Sequence, residues 1–283
     1  MGSAPIVVGV DGSPSSRDAV RWAAREATVR GDPVLLVTSV TTGGIGMSSP
    51  FTDDLRIRGE HALEEAVGLA AAVGPAPTST EMVTLTPVHA LMNHEGTARM
   101  IVLGTRGLGE FTGGLVGSVT SAIVHHAACP VVVVAGWPRP GEPDFDGPVV
   151  VGVDGTPTSD PAVAAAFTEA ALHGSDLVAL HAWSDRALPN GPLGAEWADI
   201  ADAEQDRLSE RLAPWRDKHP EVRVKQVIVQ DRPARNLLMR GAGARLIVVG
   251  SRGRGGFHGM TLGSTSAALL RTVTIPLMVV RSH

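Results

Sequence analysis

The sequence predicts an α/β chain of two tandem doubly wound, Rossmann-like domains, each built on a five-stranded parallel sheet of order 3-2-1-4-5. Three observations predict it. Residues 6–16 (IVVGVDGSPSS) recur at 149–159 (VVVGVDGTPTS), with eight of eleven positions identical. Residues 98–123 recur at 244–269 with 13 of 26 identical, so two blocks repeat in the same order at offsets of 143 and 146. A repeat of this kind marks a duplicated unit. Within each half, short β-branched runs alternate with longer segments of helical period. Runs such as Val131-Val132-Val133-Val134 are apolar on both faces, as strands of a parallel sheet covered by helices must be.

In the first half the strands are read at 5–10, 34–40, 80–85, 100–104 and 130–135, and the helices at 15–30, 54–73, 88–97 and 117–128. In the second half the strands are 148–153, 176–182, 222–229, 245–250 and 275–280, and the helices 159–173, 195–218, 233–242 and 263–273. The segment Gly136 to Pro148 carries four prolines in 13 residues and reads as a stiff, exposed connector. The expected division is therefore domain 1 at 1–136, a linker at 137–147 and domain 2 at 148–283.

Composition narrows the function. The 283 residues are 43% hydrophobic and 19% charged, which supplies a large core and excludes disordered and fibrous classes. A net charge of −5 argues against a general affinity for nucleic acid or anionic membranes. One cysteine, Cys129, rules out an internal disulfide framework and a cysteine-based zinc site. The N-terminus has no signal-peptide pattern and no apolar run approaches a membrane span, so the expected setting is the cytoplasm. The only lysines, Lys218 and Lys225, do not follow a glycine, so no Walker A loop exists and any phosphate site works without that lysine.

Open parallel sheets bind ligands beyond the carboxyl ends of their strands, where the order reverses. With order 3-2-1-4-5, strands one and four flank that point. Asp11 then faces the loop Gly104–Ser118, and Asp154 faces Gly250–Ser264. The first loop holds Gly104, Gly107, Gly109, Gly113, Gly114 and Gly117; the second holds Gly250, Gly253, Gly255, Gly256, Gly259 and Gly263. Successive amides in such a loop form an anion-binding nest. Ser118 and Ser264, at the start of the following helix, can cap it or meet a phosphate there. Arg106 and Arg252 can add charge-assisted bonds. Asp11 and Asp154 can accept from ribose hydroxyls, hold Mg²⁺ on the phosphates, or serve the turn in D-G-[ST]-P. The second loop carries Arg252, Arg254 and His258 and no acid, which predicts a few-fold tighter grip on a triphosphate there.

Several other features read as structure. Cys129 corresponds to apolar Ile275 and is expected in the core. His125 and His126 align with Arg271 and Thr272, which disfavours a metal site, and Trp22 aligns with Ala165, which favours packing. The stretch Glu196–Glu210 reads as the solvated face of a helix. A dinucleotide fingerprint belongs after the first strand, whereas these glycines follow the fourth. No G-x-S-x-G elbow is present.

The spacing G-x2-G-x9-G-[ST] occurs as Gly104, Gly107, Gly117, Ser118 and again as Gly250, Gly253, Gly263, Ser264. With the V-G-V-D-G start and the closing stretches His126–Val131 and Ile275–Leu277, it resembles the universal stress protein family in its tandem, ATP-binding form. The likeness covers essentially the whole chain. The departures are Thr105, where serine is frequent and Ser251 keeps it, and Arg99 and Arg245, where an acid is common.

The resemblance implies ATP in each half. In the first half it implies contacts at Gly9, Val10, Asp11, Val40, Gly104, Thr105, Arg106, Gly107, Gly109, Gly117, Ser118 and Val119. In the second it implies Gly152, Val153, Asp154, Trp183, Gly250, Ser251, Arg252, Gly253, Gly255, Gly263, Ser264 and Thr265. It also implies a homodimer through the last strands and a regulatory role in the stress response. Two alternatives stay open: slow ATP hydrolysis or autophosphorylation, for which only Asp11 or Asp154 offers a base, and sensing of another adenine nucleotide such as cyclic AMP.

Overall fold

The computed structural model describes residues 3–41, 50–105, 116–135, 146–183, 194–254, 262–272 and 274–282. The chain divides into two compact units, Met1–Trp137 and Pro138–His283. Most of the linker read from the sequence, residues 136–145, lies outside the described residues.

The first unit runs β1 (Ile6–Gly9), α1 (Pro14–Arg30), β2 (Val34–Ser39), α2 (Pro50–Val73), β3 (Thr78–Val83), α3 (Pro87–Met92), β4 (Met100–Gly104), α4 (Ser118–His126) and β5 (Val131–Val134). Its strands are parallel in the order β3-β2-β1-β4-β5. That is the 3-2-1-4-5 arrangement, with Val8 registered between Leu36 and Val102. Ile6, Val7, Val8, Ile101, Val102, Val132 and Val133 have no exposed surface, so the central strands are closed on both faces.

The second unit repeats the plan with β6 (Val149–Val153), α5 (Asp160–His173), β7 (Leu177–Ala182), α6 (Gly194–Lys218), β8 (Val224–Val229), α7 (Pro233–Gly241), β9 (Leu246–Gly250), α8 (Ser264–Thr272) and β10 (Leu277–Val280). Its parallel strands lie in the order β8-β7-β6-β9-β10. No helix among the described residues is long and apolar enough to cross a membrane.

The differences from the sequence reading are local. The third helix, read at 88–97, ends at Met92, and His94 and Glu95 donate to carbonyls three residues back. Asn93, His94, Gly96 and Thr97 are poor helix formers, so tight turns replace the continued helix. In the second unit a 3-10 turn, Pro157–Ser159, precedes α5 and delays its start. Arg99 and Arg245, the departures before the fourth strand, both find carboxylates: Arg99 Nε lies 3.1 Å from Asp32, and Arg245 Nη2 lies 3.2 Å from Asp146. Cys129 is buried, as expected, and burial pushes its thiol up to about 11.

Candidate functional site

In the second unit the switch point between β6 and β9 opens into a cleft of about 430 Å³. Leu180, Ala182, Pro233, Leu237, Val249 and Leu262 give it an apolar wall. The polar side is formed by Asp154, Gly253, Gly263, Ser264 and Thr265. Of the expected residues, Gly152, Val153, Asp154, Gly250, Arg252, Gly253, Gly263, Ser264 and Thr265 line it. Ser251 is buried beside it, and Trp183 is partly buried at the end of β7, its N–H given to Val229 O at 3.1 Å.

The facing of the two loops is direct. A Cβ on Gly253 would lie 3.3 Å from Asp154 Oδ2, so the glycine loop passes against the carboxylate at the end of β6. A Cβ on Gly263 would rest 3.6 Å from the Gly253 amide nitrogen. Bare main chain is therefore what the cleft presents there. Asp154 also serves the turn: Oδ1 accepts from the Thr156 N–H at 2.7 Å and its hydroxyl at 2.8 Å. Gly155 holds that turn at φ +77°, a conformation that glycine adopts without strain.

The first unit repeats these fastenings. Asp11 Oδ1 accepts from the Ser13 N–H at 2.9 Å, and Gly12 sits at φ +79°. The exits of the two glycine loops are pinned alike. Gly117 N–H donates to Thr105 O and Gly263 N–H to Ser251 O, both at 2.7 Å. The Thr120 hydroxyl donates to Gly104 O at 2.8 Å, and the Ser266 hydroxyl to Gly250 O at 2.6 Å. Gly104 has no room for a side chain, since a Cβ would stand 2.6 Å from the backbone of Ser15. Gly9 and Gly152 are closely approached: a Cβ on Gly9 would strike Leu103 at 2.6 Å, and one on Gly152, which lines the cleft, would reach Leu237 at 3.1 Å. Val10 and Val40 are buried, and the Val40 N–H is given to Val83 O at 2.9 Å.

Ser118 does not cap α4. Gly117 is the N-cap and makes no side-chain capping bond, so Ser118 is the first helical residue and lies exposed, followed by half-buried Val119. An N1 hydroxyl cannot reach back to cap its own helix but stays beside the unpaired amides of the first turn. The caps after the first strands are Ser13 and Thr156, each two residues beyond its aspartate. Arg106, Gly107, Gly109, Gly255 and His258 lie outside the described residues.

The arginines of the second loop are engaged differently from their sequence reading. Arg252 Nη2 donates to Ser282 O at 3.3 Å. Arg254 donates to Trp183 O at 2.9 Å and to Ala182 O at 2.5 Å. Both cations hold main-chain carbonyls.

Two further residues were not legible. His181, 2% exposed on β7, reaches Val153 O through Nδ1 at 2.8 Å and Glu204 Oε2 through Nε2 at 3.1 Å. Glu204 belongs to the acidic stretch read as a solvated face, yet its side chain is only 15% exposed. In the first half Thr38 holds the position of His181.

Comparison with known proteins matches the chain twice to the model of the universal stress protein family, over residues 3–135 and 147–281. A universal stress protein of Mycobacterium tuberculosis is 38% identical over 289 residues, covering 98% of this chain and 96% of its own length. A universal stress protein of Mycobacterium bovis is 40% identical over 304 residues, covering 98% and 94%. The crystal structure of a universal stress protein from Archaeoglobus fulgidus superposes with a TM-score of 0.67 at 20% identity, covering 99% of this chain and 97% of that one.

Proposed function

The chain belongs to the universal stress protein family in a tandem arrangement, and from that premise we propose that it binds ATP in each domain as a regulatory ligand. The observation that carries the reading is the second-domain cleft, walled by Leu180, Leu237 and Val249 on one side and by Asp154, Gly253, Gly263 and Ser264 on the other. An apolar slot suits a purine, and main-chain amides at the start of a helix suit a polyphosphate. The matched fastenings of Gly117 and Gly263 support the same reading in the first domain.

Asp11 and Asp154 would hold a Mg²⁺ carried on the phosphates, which would neutralise their charge beside a carboxylate. Ligand spanning the first-strand turn and the glycine loop stabilises the domain that it joins. At 100 times its Kd this amounts to about 2.7 kcal/mol, enough to shift a shallow conformational or assembly equilibrium. A homodimer through the last strands and a cytoplasmic setting belong to the same proposal.

Native mass spectrometry of the purified protein tests it. ATP retained by the wild-type chain and lost on combining Gly117→Val with Gly263→Val supports the site. ATP retained by that double variant means that the site lies elsewhere, and bound ADP with released phosphate would move the reading to a slow hydrolase.

A further inference from the structure

We infer that Arg254 is a base-reading residue of the second-domain cleft and not a ligand of the phosphates; the inference rests on the nucleotide reading above. Arg254 is on the cleft wall, together with Ala182 at the end of β7. Its guanidinium donates to Trp183 O through Nη1 and to Ala182 O through Nη2, and Nη2 lies 3.4 Å from His181 Nε2. These contacts belong to the β7 end of the cleft, where Leu180 and Ala182 supply apolar surface. The amides and hydroxyls of Gly263, Ser264 and Thr265 belong to the start of α8.

Hydrogen bonds to a guanidinium lie in its plane. With both terminal nitrogens committed to carbonyls, the group is held by its edge and offers its flat face. A planar, weakly hydrated cation is a good stacking surface for an aromatic ring. The platform is also braced. His181 reaches Val153 O at the end of β6, and Glu204 reaches His181 at 3.1 Å and Arg207 at 2.6 Å. Polar contacts therefore run from α6 through β7 to the glycine loop.

The repeat isolates this feature in one domain. At the 146-residue offset of the glycine loops, Arg254 corresponds to Leu108, and at the 143-residue offset of the first strands His181 corresponds to Thr38. The two repeats thus share the pinned exits of their glycine loops and differ at these two positions. The second domain is expected to recognise the purine ring of its ligand more strongly than its own glycine loop alone would allow.

Domain-resolved hydrogen exchange on the full chain tests this, titrating wild type, Arg254→Leu and Arg254→Lys with ATP and with ribose 5-triphosphate, which is ATP without its base. The expected result is a rise of about threefold to tenfold in the ATP concentration that half-protects second-domain peptides in both variants. Half-protection by ribose 5-triphosphate, and all first-domain values, stay at wild type. Lysine fails to rescue because it carries the charge without the plane. An equal shift for both ligands makes Arg254 a phosphate ligand and overturns the inference, as does full rescue by lysine or no shift at all. ATP protecting neither domain of the wild type would instead retire the nucleotide reading, and this inference with it.

Discussion

His181 and Glu204 form a buried pair in the second domain, Nε2 to Oε2 3.1 Å, with side chains 3% and 15% exposed. The other ring nitrogen faces Val153 O at 2.8 Å, and a carbonyl only accepts, so Nδ1 carries a hydrogen. One imidazole therefore joins the end of β6 to α6. His181→Thr, which installs the residue of the first half, strips a partner from both the carbonyl and the carboxylate. A loss of about 2–3 kcal/mol is expected, against about 1 kcal/mol for Glu204→Gln, which keeps a hydrogen-bonding group. Denaturant unfolding checks it; a His181→Thr variant as stable as wild type would remove the pair from the account.

Gly104 and Gly250 occupy the same place in the two repeats but have different room. A Cβ on Gly104 would stand 2.6 Å from Ser15 backbone atoms, whereas on Gly250 the nearest atom is Arg252 O at 3.1 Å. Gly104→Ala is expected to cost about 2–3 kcal/mol and Gly250→Ala about 1 kcal/mol. Calorimetric melting of the two variants should rank them in that order, and the reverse ranking contradicts the packing described.

Arg99 serves a buried carboxylate and Arg245 an exposed one: the side chain of Asp32 is 5% exposed and that of Asp146 is 61% exposed. Methionine keeps the stem and removes the charge. Arg99→Met should destabilise by about 2 kcal/mol, because Asp32 is left without its cation. Arg245→Met should cost under about 1 kcal/mol. Equal losses in urea unfolding would mean that burial of the carboxylate does not govern the pair.

The Cys129 thiol, raised from 9.0 to about 11 by burial, stays protonated in the folded chain through neutral and mildly alkaline pH. A thiol reagent at pH 8 should leave the native protein unlabelled and modify one cysteine after denaturation. The sign for stability follows from the same shift. The folded state disfavours the thiolate, so its contribution is intact below about pH 9 and is lost as pH rises from about 9 to 11. Rapid labelling of the native protein at pH 8 would show that the thiol is not shielded.

The doubly wound plan and the pairing of the Asp154 turn with the second glycine loop were legible because the repeat exposes them. Two copies of a strand-turn and two copies of a glycine loop leave few topologies in which both meet. Asp154 and Gly253, 99 positions apart, do meet in the second unit. His181 was not legible because it sits in a run, Leu177–Ala182, whose burial is decided by the sheet and not by its own polarity. Glu204 was misread because a helix of high charge conceals which single carboxylate turns inward. The partners of Arg254 were not legible because composition gives the charge of a loop, while the carbonyls within reach of that charge are set by tertiary structure.

Calorimetric titration of the full chain with Mg-ATP tests the central claim most directly. A Cβ on Gly263 makes only ordinary contacts, the nearest at 3.5 Å, and stands 3.6 Å from the Gly253 amide nitrogen, so Gly263→Val sets a side chain against that amide. The account predicts two equivalents of ATP per wild-type chain and one for Gly263→Val. No heat from the wild type, or an unchanged stoichiometry in the variant, would contradict it.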